Sequence, residues 1–477
     1  MRIIKTQPTI WEELDGVLPV QAVNKWRGMN KLDRFSIDSN FFTDSKNLTS
    51  RNFPAAATRP GFTQIGTTQA AKILGLASWK DTELHTISNA NWYRYSGGVW
   101  GSLLAGLSVS ANWQFCNFKG GFADYNLLGT NGVDTPKKYD GATVTALAGA
   151  PAAGNYVDTH DNRVYMTVGN KVYYSALSLA EDWTSTDPYV GSGEIAIETE
   201  AGKDIVGLRA GTGHLLAYYP QSCYELYGTG PDDYRMIQVA SDIGLLSDQA
   251  VVNVAGILYW PDTNGIYVYR GGSRPSRNFS QPVQYYIDNL NDANKSKACA
   301  GTDGKRFYLA LPTGASADPN VILEYDPEFS GVWYTWEDFS PLNFANAAGE
   351  LYWGDTAGKI VQLIGTTDAG AAIAFMAVTI PFGSRIAAQN VRWHKMWLIA
   401  EVPVGSTCSI YLSPSDIGDA DWTLVKTLTT SSSVQKKKVI IPVGTVADAG
   451  WIRVKFEGTG PVTIRELDYV QREMPFR

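Results

Sequence analysis

From about residue 62 to about residue 365 one unit recurs: a short apolar run, a tight turn, a second run carrying Tyr or Trp, and a glycine exit. Short apolar runs alternate with turn signals every 8–12 residues or so, the spacing of an all-β chain. Six stretches show the unit: Lys72 to Gly106, Val109 to Gly149, Tyr156 to Thr199, Asp204 to Ala240, Ile243 to Val283 and Lys297 to Phe339. A half-unit, AGELYWGDTAGKIVQLIG, follows at Ala348 to Gly365. A period of roughly 40–50 residues is that of β-propeller blades, each a four-stranded antiparallel sheet buried on both faces. Double-sided burial accounts for strands such as HLLAYY and GIYVYR, which are nearly continuous in apolar residues. About six blades are expected, with five or seven also open. An early strand near Phe62 to Ile65 would complete the last one and remove the exposed edge.

Composition agrees with strands joined by tight turns. Charged residues are 18% of the 477, with 15 Trp, 25 Tyr and 46 Gly, whereas a helical chain would carry more Glu, Lys, Leu and Ala. The repeat stops after Gly365, and TTDAGAA reads as a linker. Residues 370–477 supply seven candidate strands, among them CSIYLS and WIRVKFEG with clean alternation, which suggests a β-sandwich. Residues 1–61 read as an N-terminal arm. Its polar stretch Phe35 to Pro60 either packs on a partner or straps its own chain.

The function classes narrow by what the sequence lacks. The formal net charge of −7 argues against a protein that grips nucleic acid over a broad basic surface. Cys116, Cys223, Cys299 and Cys408 form no CxxC pair and are expected as four buried thiols. The opening MRIIKTQPTIWEELDG has no apolar core of a signal peptide, and the apolar run Ala369 to Phe382 is too short to span a bilayer. The four His residues are scattered, and no metalloprotease, nucleophile-elbow or P-loop motif is present. GDTAGK at Gly354 to Lys359 is one residue short of a P-loop and reads as a turn. Three carboxylate features bear on glycosidase chemistry: Asp232-Asp233 in GPDDYR, Glu337-Asp338 in VWYTWEDF as a pair facing a central channel, and SPSDIGDADW at Ser413 to Trp422, which loosely matches an Asp-box turn. None has the expected setting, so no catalytic, cofactor or metal residues are assigned and the chain is read as a non-enzyme. Arg163 and Arg306 are expected at strand starts beside turn acids, and Trp183, Trp260, Trp333 and Trp336 between sheets.

DNRVYMTVGNKVYYSALSLAEDW, DIVGLRAGTGHLLAYYPQSCYELYGTG and SDIGLLSDQAVVNVAGILYWPDTNGIYVYRGG carry a resemblance. They are similar to the propeller repeats of the tail hub or nozzle family of short-tailed phages, which includes the tail tubular protein B and DNA-stabilisation tail accessory types. Arg163, Tyr165, Tyr173, Tyr174, Ser175 and Trp183 match one blade, and Tyr224, Leu226 and Gly228 the next. Gly244, Leu245, Ser247, Gly256, Tyr259, Trp260, Gly265 and Tyr267 match a third. The entry segment SIDSNFFTDSKNLTSRNFPAAATRPGF also resembles that family. The resemblance covers roughly residues 30–365 and implies a structural virion protein, assembled in the host cytoplasm. It implies a homo-hexameric ring that helps retain the genome and lets genomic DNA pass through its lumen without specific binding. It implies contacts with a tail adaptor and with fibres, spikes or a needle. Within GSGEIAIETEAGKD, the residues Glu194, Glu198, Glu200 and Asp204 are the candidate lumen-facing or interface loop. The other readings are a minor tail or baseplate protein of a long-tailed phage, and a glycan-binding or glycan-cleaving propeller.

Overall fold

A computed structural model describes residues 20–200, 202–329, 331–384, 391–414, 421–430 and 436–474. The chain is all-β, and divides into two compact units, Pro60–Ala371 and Met1–Arg59 with Ala372–Arg477.

Among the described residues, Pro60–Ala371 holds seven sheets, one more than the six units of the repeat, antiparallel throughout but for the pairing of Thr367–Asp368 with Phe62–Gln64 in the last. The first contains Ile73–Trp79, Glu83–Ser88, Asn91–Ser96 and Val99–Ala105 in that order. The second contains Gln114–Phe118, Asn126–Thr130, Lys137–Tyr139 and Val144–Ala146, and the third Val157–His160, Arg163–Val168, Lys171–Tyr174 and Gly193–Ala196. The fourth contains Gly207–Gly211, His214–Tyr218, Cys223–Tyr227 and Arg235–Ala240. The fifth has three strands, Val252–Val254, Ile257–Asp262 and Gly265–Tyr269. The sixth contains Cys299–Thr302, Phe307–Leu311, Val321–Asp326 and Val332–Glu337. The seventh begins with Pro341–Ala347, Glu350–Asp355 and Ile360–Leu363, and Phe62–Gln64 pairs antiparallel with Ile360–Leu363. The half-unit therefore completes a sheet of its own instead of finishing the sixth, because Pro341–Ala347 gives it a first strand.

The first strands form a ring. Each touches the first strand of the next sheet, and Pro341–Ala347 touches Ile73–Trp79 to close the circle. Side-chain amides fasten these contacts: Asn117 Nδ2 donates to the Ser78 carbonyl at 2.8 Å, Asn253 Nδ2 to Ala210 at 2.8 Å and Asn346 Nδ2 to Thr302 at 3.2 Å. The closing contact has the same device, Asn343 Nδ2 to the Ile73 carbonyl at 3.0 Å. Successive sheets pack face to face, with buried clusters between them. Leu216, Tyr218 and Cys223 of the fourth sheet meet Leu258, Trp260 and Tyr267 of the fifth. Cys299, Tyr308 and Trp336 of the sixth meet Leu351, Trp353 and Val361 of the seventh. Strand glycines let the sheets approach this closely. A Cβ on Gly354 would lie 2.5 Å from Cγ2 of Ile73, across the closing interface. This is a propeller-like arrangement, and the expected blade-packing role of Trp260, Trp333 and Trp336 fits their complete burial.

The second unit has two antiparallel sheets. One runs Leu48–Thr49, Ala56–Thr58, Thr463–Glu473, Val391–Glu401, Lys436–Ile441, with Gln21–Val23 also on Thr463–Glu473. The other runs Phe42–Lys46, Ala374–Thr379, Trp451–Thr459, Thr407–Ser413, Thr423–Thr429, with Phe382–Gly383 on Trp451–Thr459. All seven strands expected in 370–477 occur. Alternation buries one face of Thr407–Ser413 through Cys408, Ile410 and Leu412, and the rings of Phe382 and Tyr469 meet across the sheets at 5.1 Å. The described part of the expected arm, residues 20–59, is not a free segment. It supplies strands to both sheets and places the Trp26 and Phe42 rings in a stack at 4.5 Å.

Candidate functional site

A polar plug spans the axis of the propeller-like unit. Ser247 caps a single 3-10 turn, Asp248–Ala250, by accepting from the Gln249 amide. Gln114, at the start of the second sheet, donates Nε2 to the Asp248 carbonyl at 3.1 Å and to its Oδ2 at 3.2 Å. Gln249 returns a bond from Nε2 to the Trp113 carbonyl at 3.3 Å. The turn leads into the fifth sheet, which is not a neighbour of the second, so these bonds span the axis. Burial pushes the Asp248 carboxyl above its ordinary range, and the two glutamine donors oppose that shift.

Beside the plug lies a cavity of about 220 Å³ whose lining includes Ser78, Gln114, Asn117, Arg209, Gln249 and Asn346, with Trp113, Phe115 and Phe344. Arg209 stands on the first strand of the fourth sheet, 3.6 Å from Oδ2 of Asp158 on the first strand of the third. Asp158 accepts from the Ala210 amide at 2.9 Å and the Thr159 amide at 2.8 Å. Burial pushes its carboxyl up, against the pull of Arg209 and these two amides. The arrangement offers donors, a cation and aromatic walls; it holds no nucleophile–base pair.

The acidic loop lies elsewhere. Glu194 is on the outermost strand of the third sheet, exposed and paired with Lys171. Glu198 and Asp204 are also exposed. Glu200 departs from the expectation of a partner-facing group: it is buried and satisfied within the chain, accepting from Ser222 Oγ at 2.7 Å, Tyr224 OH at 3.0 Å and Lys203 Nζ at 2.7 Å. The Lys203 and Ser222 bonds hold its carboxyl below the usual range. The loop thus ties the third sheet to the fourth and leaves Glu194, Glu198 and Asp204 on the surface.

The carboxylate pairs read in the sequence are not brought together. Glu337 ends the outermost strand of the sixth sheet, the edge farthest from the ring of first strands, which corrects its placement at a central channel. Asp233 is a turn residue, accepting the Thr229 amide at 2.8 Å and the Gly230 amide at 2.9 Å, and these bonds lower its carboxyl. Asp355 likewise shapes the Gly354–Lys359 hairpin by accepting the Ala357 and Lys359 amides. Residues 415–420 of SPSDIGDADW lie outside the described residues. All four cysteines are free and buried.

Arg163 does start a strand, but its partners are carbonyls and not turn acids. It is fully buried and donates to Ser175 at 2.8 Å and Tyr189 at 3.0 Å, and also to Gly191. These bonds fix the long connection between Lys171–Tyr174 and Gly193–Ala196. That connection presents Leu177, Leu179, Tyr189 and Val190 to solvent, with Tyr189 72% exposed. The Leu177 amide donates to Val190 at 2.8 Å, and the Gly121 amide of the second sheet to Ser178 at 2.6 Å. The result is an apolar platform on a rigid base. Arg306 does sit beside a turn acid, Asp303 at 3.2 Å, and also beside Glu324 and Asp326.

No family model matches the chain, and no curated protein matches it in sequence. Solved structures similar in shape include YCF48 bound to D1 peptide, 11% identical over 64% of this chain and 99% of that one, with a TM-score of 0.40. The computationally designed Ika8 protein is 13% identical over 63% of this chain and all of that one, TM-score 0.39. The extracellular domain of the putative one component system BT4673 from B. thetaiotaomicron is 8% identical over 85% of this chain and 63% of that one, TM-score 0.43. At such values no activity or partner is carried over.

Proposed function

We propose that this chain is a structural assembly protein of a phage tail, of the hub or nozzle type that its repeats resemble. On this reading the seven sheets are seven propeller blades closed by the Phe62–Gln64 strand, and the second unit is a β-sandwich. The observation that carries the reading is the Arg163-braced platform of Leu177, Leu179, Tyr189 and Val190. Exposed apolar side chains on an immobilised backbone lose little entropy when covered, which suits a permanent protein contact. Neighbouring copies in a hexameric ring would cover it, with an adaptor and fibres, spikes or a needle on other faces. The Gln114–Asp248 plug bridges the axis of a single unit, so genomic DNA would run between copies, and the net charge of −7 would not hold it.

Mass photometry of the purified full chain tests this reading, alone and with tail components. Ring-sized particles, dispersed by Tyr189→Asp together with Leu179→Asp, are expected. A monomer at every concentration, with no binding to tail components, contradicts it.

A further inference from the structure

The axial cavity has an unusual electrostatic character. Among the described residues, the Arg209 guanidinium makes no hydrogen bond, its Nε is buried without an acceptor, and its only ion pair is the 3.6 Å contact with Asp158. Its side chain is nevertheless only 24% exposed. A guanidinium carries five N–H donors in a planar fork, and leaving such donors unmet in a half-buried site is costly. The nearby carboxylate is already engaged by two backbone amides and stands too far off for a bidentate bond.

We propose that Arg209 and the amide-lined cavity around it form a binding site for a single carboxylate group. Charge decides between carboxylate and phosphate. Arg209 is the one cation among the lining residues and Asp158 is beside it, so a phosphate dianion would meet one positive charge and one negative. A carboxylate is planar, carries one charge and matches the guanidinium fork. Size points the same way: about 220 Å³ is below the roughly 300–1,000 Å³ of drug-sized pockets, and admits a group of few heavy atoms. Trp113, Phe115 and Phe344 would flank its aliphatic part, and the amide of Asn346 lies within the same lining. The carboxylate could belong to a small acid or to a glutamate side chain of a partner reaching into the axis.

Saturation-transfer NMR and calorimetry on the full chain would separate these, with glutarate as the free acid and a capped Gly-Glu-Gly peptide as the side-chain probe. Binding is expected to weaken at least about tenfold in Arg209→Gln and to tighten in Asp158→Asn, which removes the competing charge and keeps an oxygen for the Ala210 amide. A free-acid site favours glutarate, and a partner-docking site favours the peptide. Should Arg209→Gln fail to fold, the Asp158→Asn result decides alone. No binding of either probe to wild type and Asp158→Asn, or binding undiminished in a folded Arg209→Gln, overturns the proposal.

Discussion

Replacing Arg163 with methionine removes the brace of the exposed platform while keeping a side chain of similar reach. The guanidinium is buried and donates to the carbonyls of Ser175 and Tyr189 at 2.8 and 3.0 Å, and also to Gly191. It also lies over the rings of Tyr174 and Tyr234 at 5.7 and 5.8 Å. Hydrogen bonds to a charged donor are worth about 1.5–3 kcal/mol each, and the carbonyls left behind lose their only charged partner. Relief of the buried charge offsets part of this, so the net loss expected is about 3–5 kcal/mol. The loss is local, because these three carbonyl partners and the platform belong to one connection. Hydrogen exchange resolved by residue is the assay. The amides of Leu177, Val190 and Gly191, which donate to Val190, Asp187 Oδ1 and the Asp187 carbonyl, should lose protection first, before strands of the other sheets. Unchanged protection at these amides, or a stability change under about 1 kcal/mol, would refute the brace.

His85 should make stability depend on pH. Burial holds its pKa at about 4, despite Glu83 beside it. Trp92 Nε1 donates to Nδ1 at 3.0 Å, so the proton sits on Nε2 facing Glu83. The unfolded chain, with an ordinary value near 6.5, binds the proton more readily. Stability is therefore full above about pH 6.5 and falls toward pH 4, by up to about 3 kcal/mol; denaturant titrations of wild type and His85→Gln should differ in slope across that window. Gly354→Ala should cost about 1–3 kcal/mol by overpacking against Ile73, measured as a lowered denaturation midpoint. A loss no larger than that of Gly101→Ala, an exposed strand glycine where an added Cβ meets no atom closer than 4.0 Å, would argue against a closed ring.

The sequence pattern reaches as far as local signals allow. Strands such as Phe307–Leu311 are continuous in apolar residues because both faces are covered, and that is legible from composition alone. The closing strand is legible too: Phe62–Gln64 stands ahead of the repeat and pairs where an incomplete last sheet needs it. The seventh sheet is harder to count, because its first strand, PLNFANA, opens on a proline and carries two asparagines, so it does not read as an apolar run. The strands contributed by residues 20–59 escape because they are short, such as Ala56–Thr58, whose partner strand Thr463–Glu473 lies some 400 residues away. The axial site is invisible for the same reason: Gln114 and Asp248 are 134 residues apart. Its one local trace is a polar side chain within a short strand, as at Gln114, Asp158 and Arg209, and such residues are the informative exceptions in a buried strand.

Electron cryomicroscopy of the assembled full chain tests the central claim most directly. A ring of copies is expected, in which Leu179, Tyr189 and Val190 of each are covered by a neighbour. Isolated copies, or a ring whose contacts leave these three side chains in solvent, would contradict it.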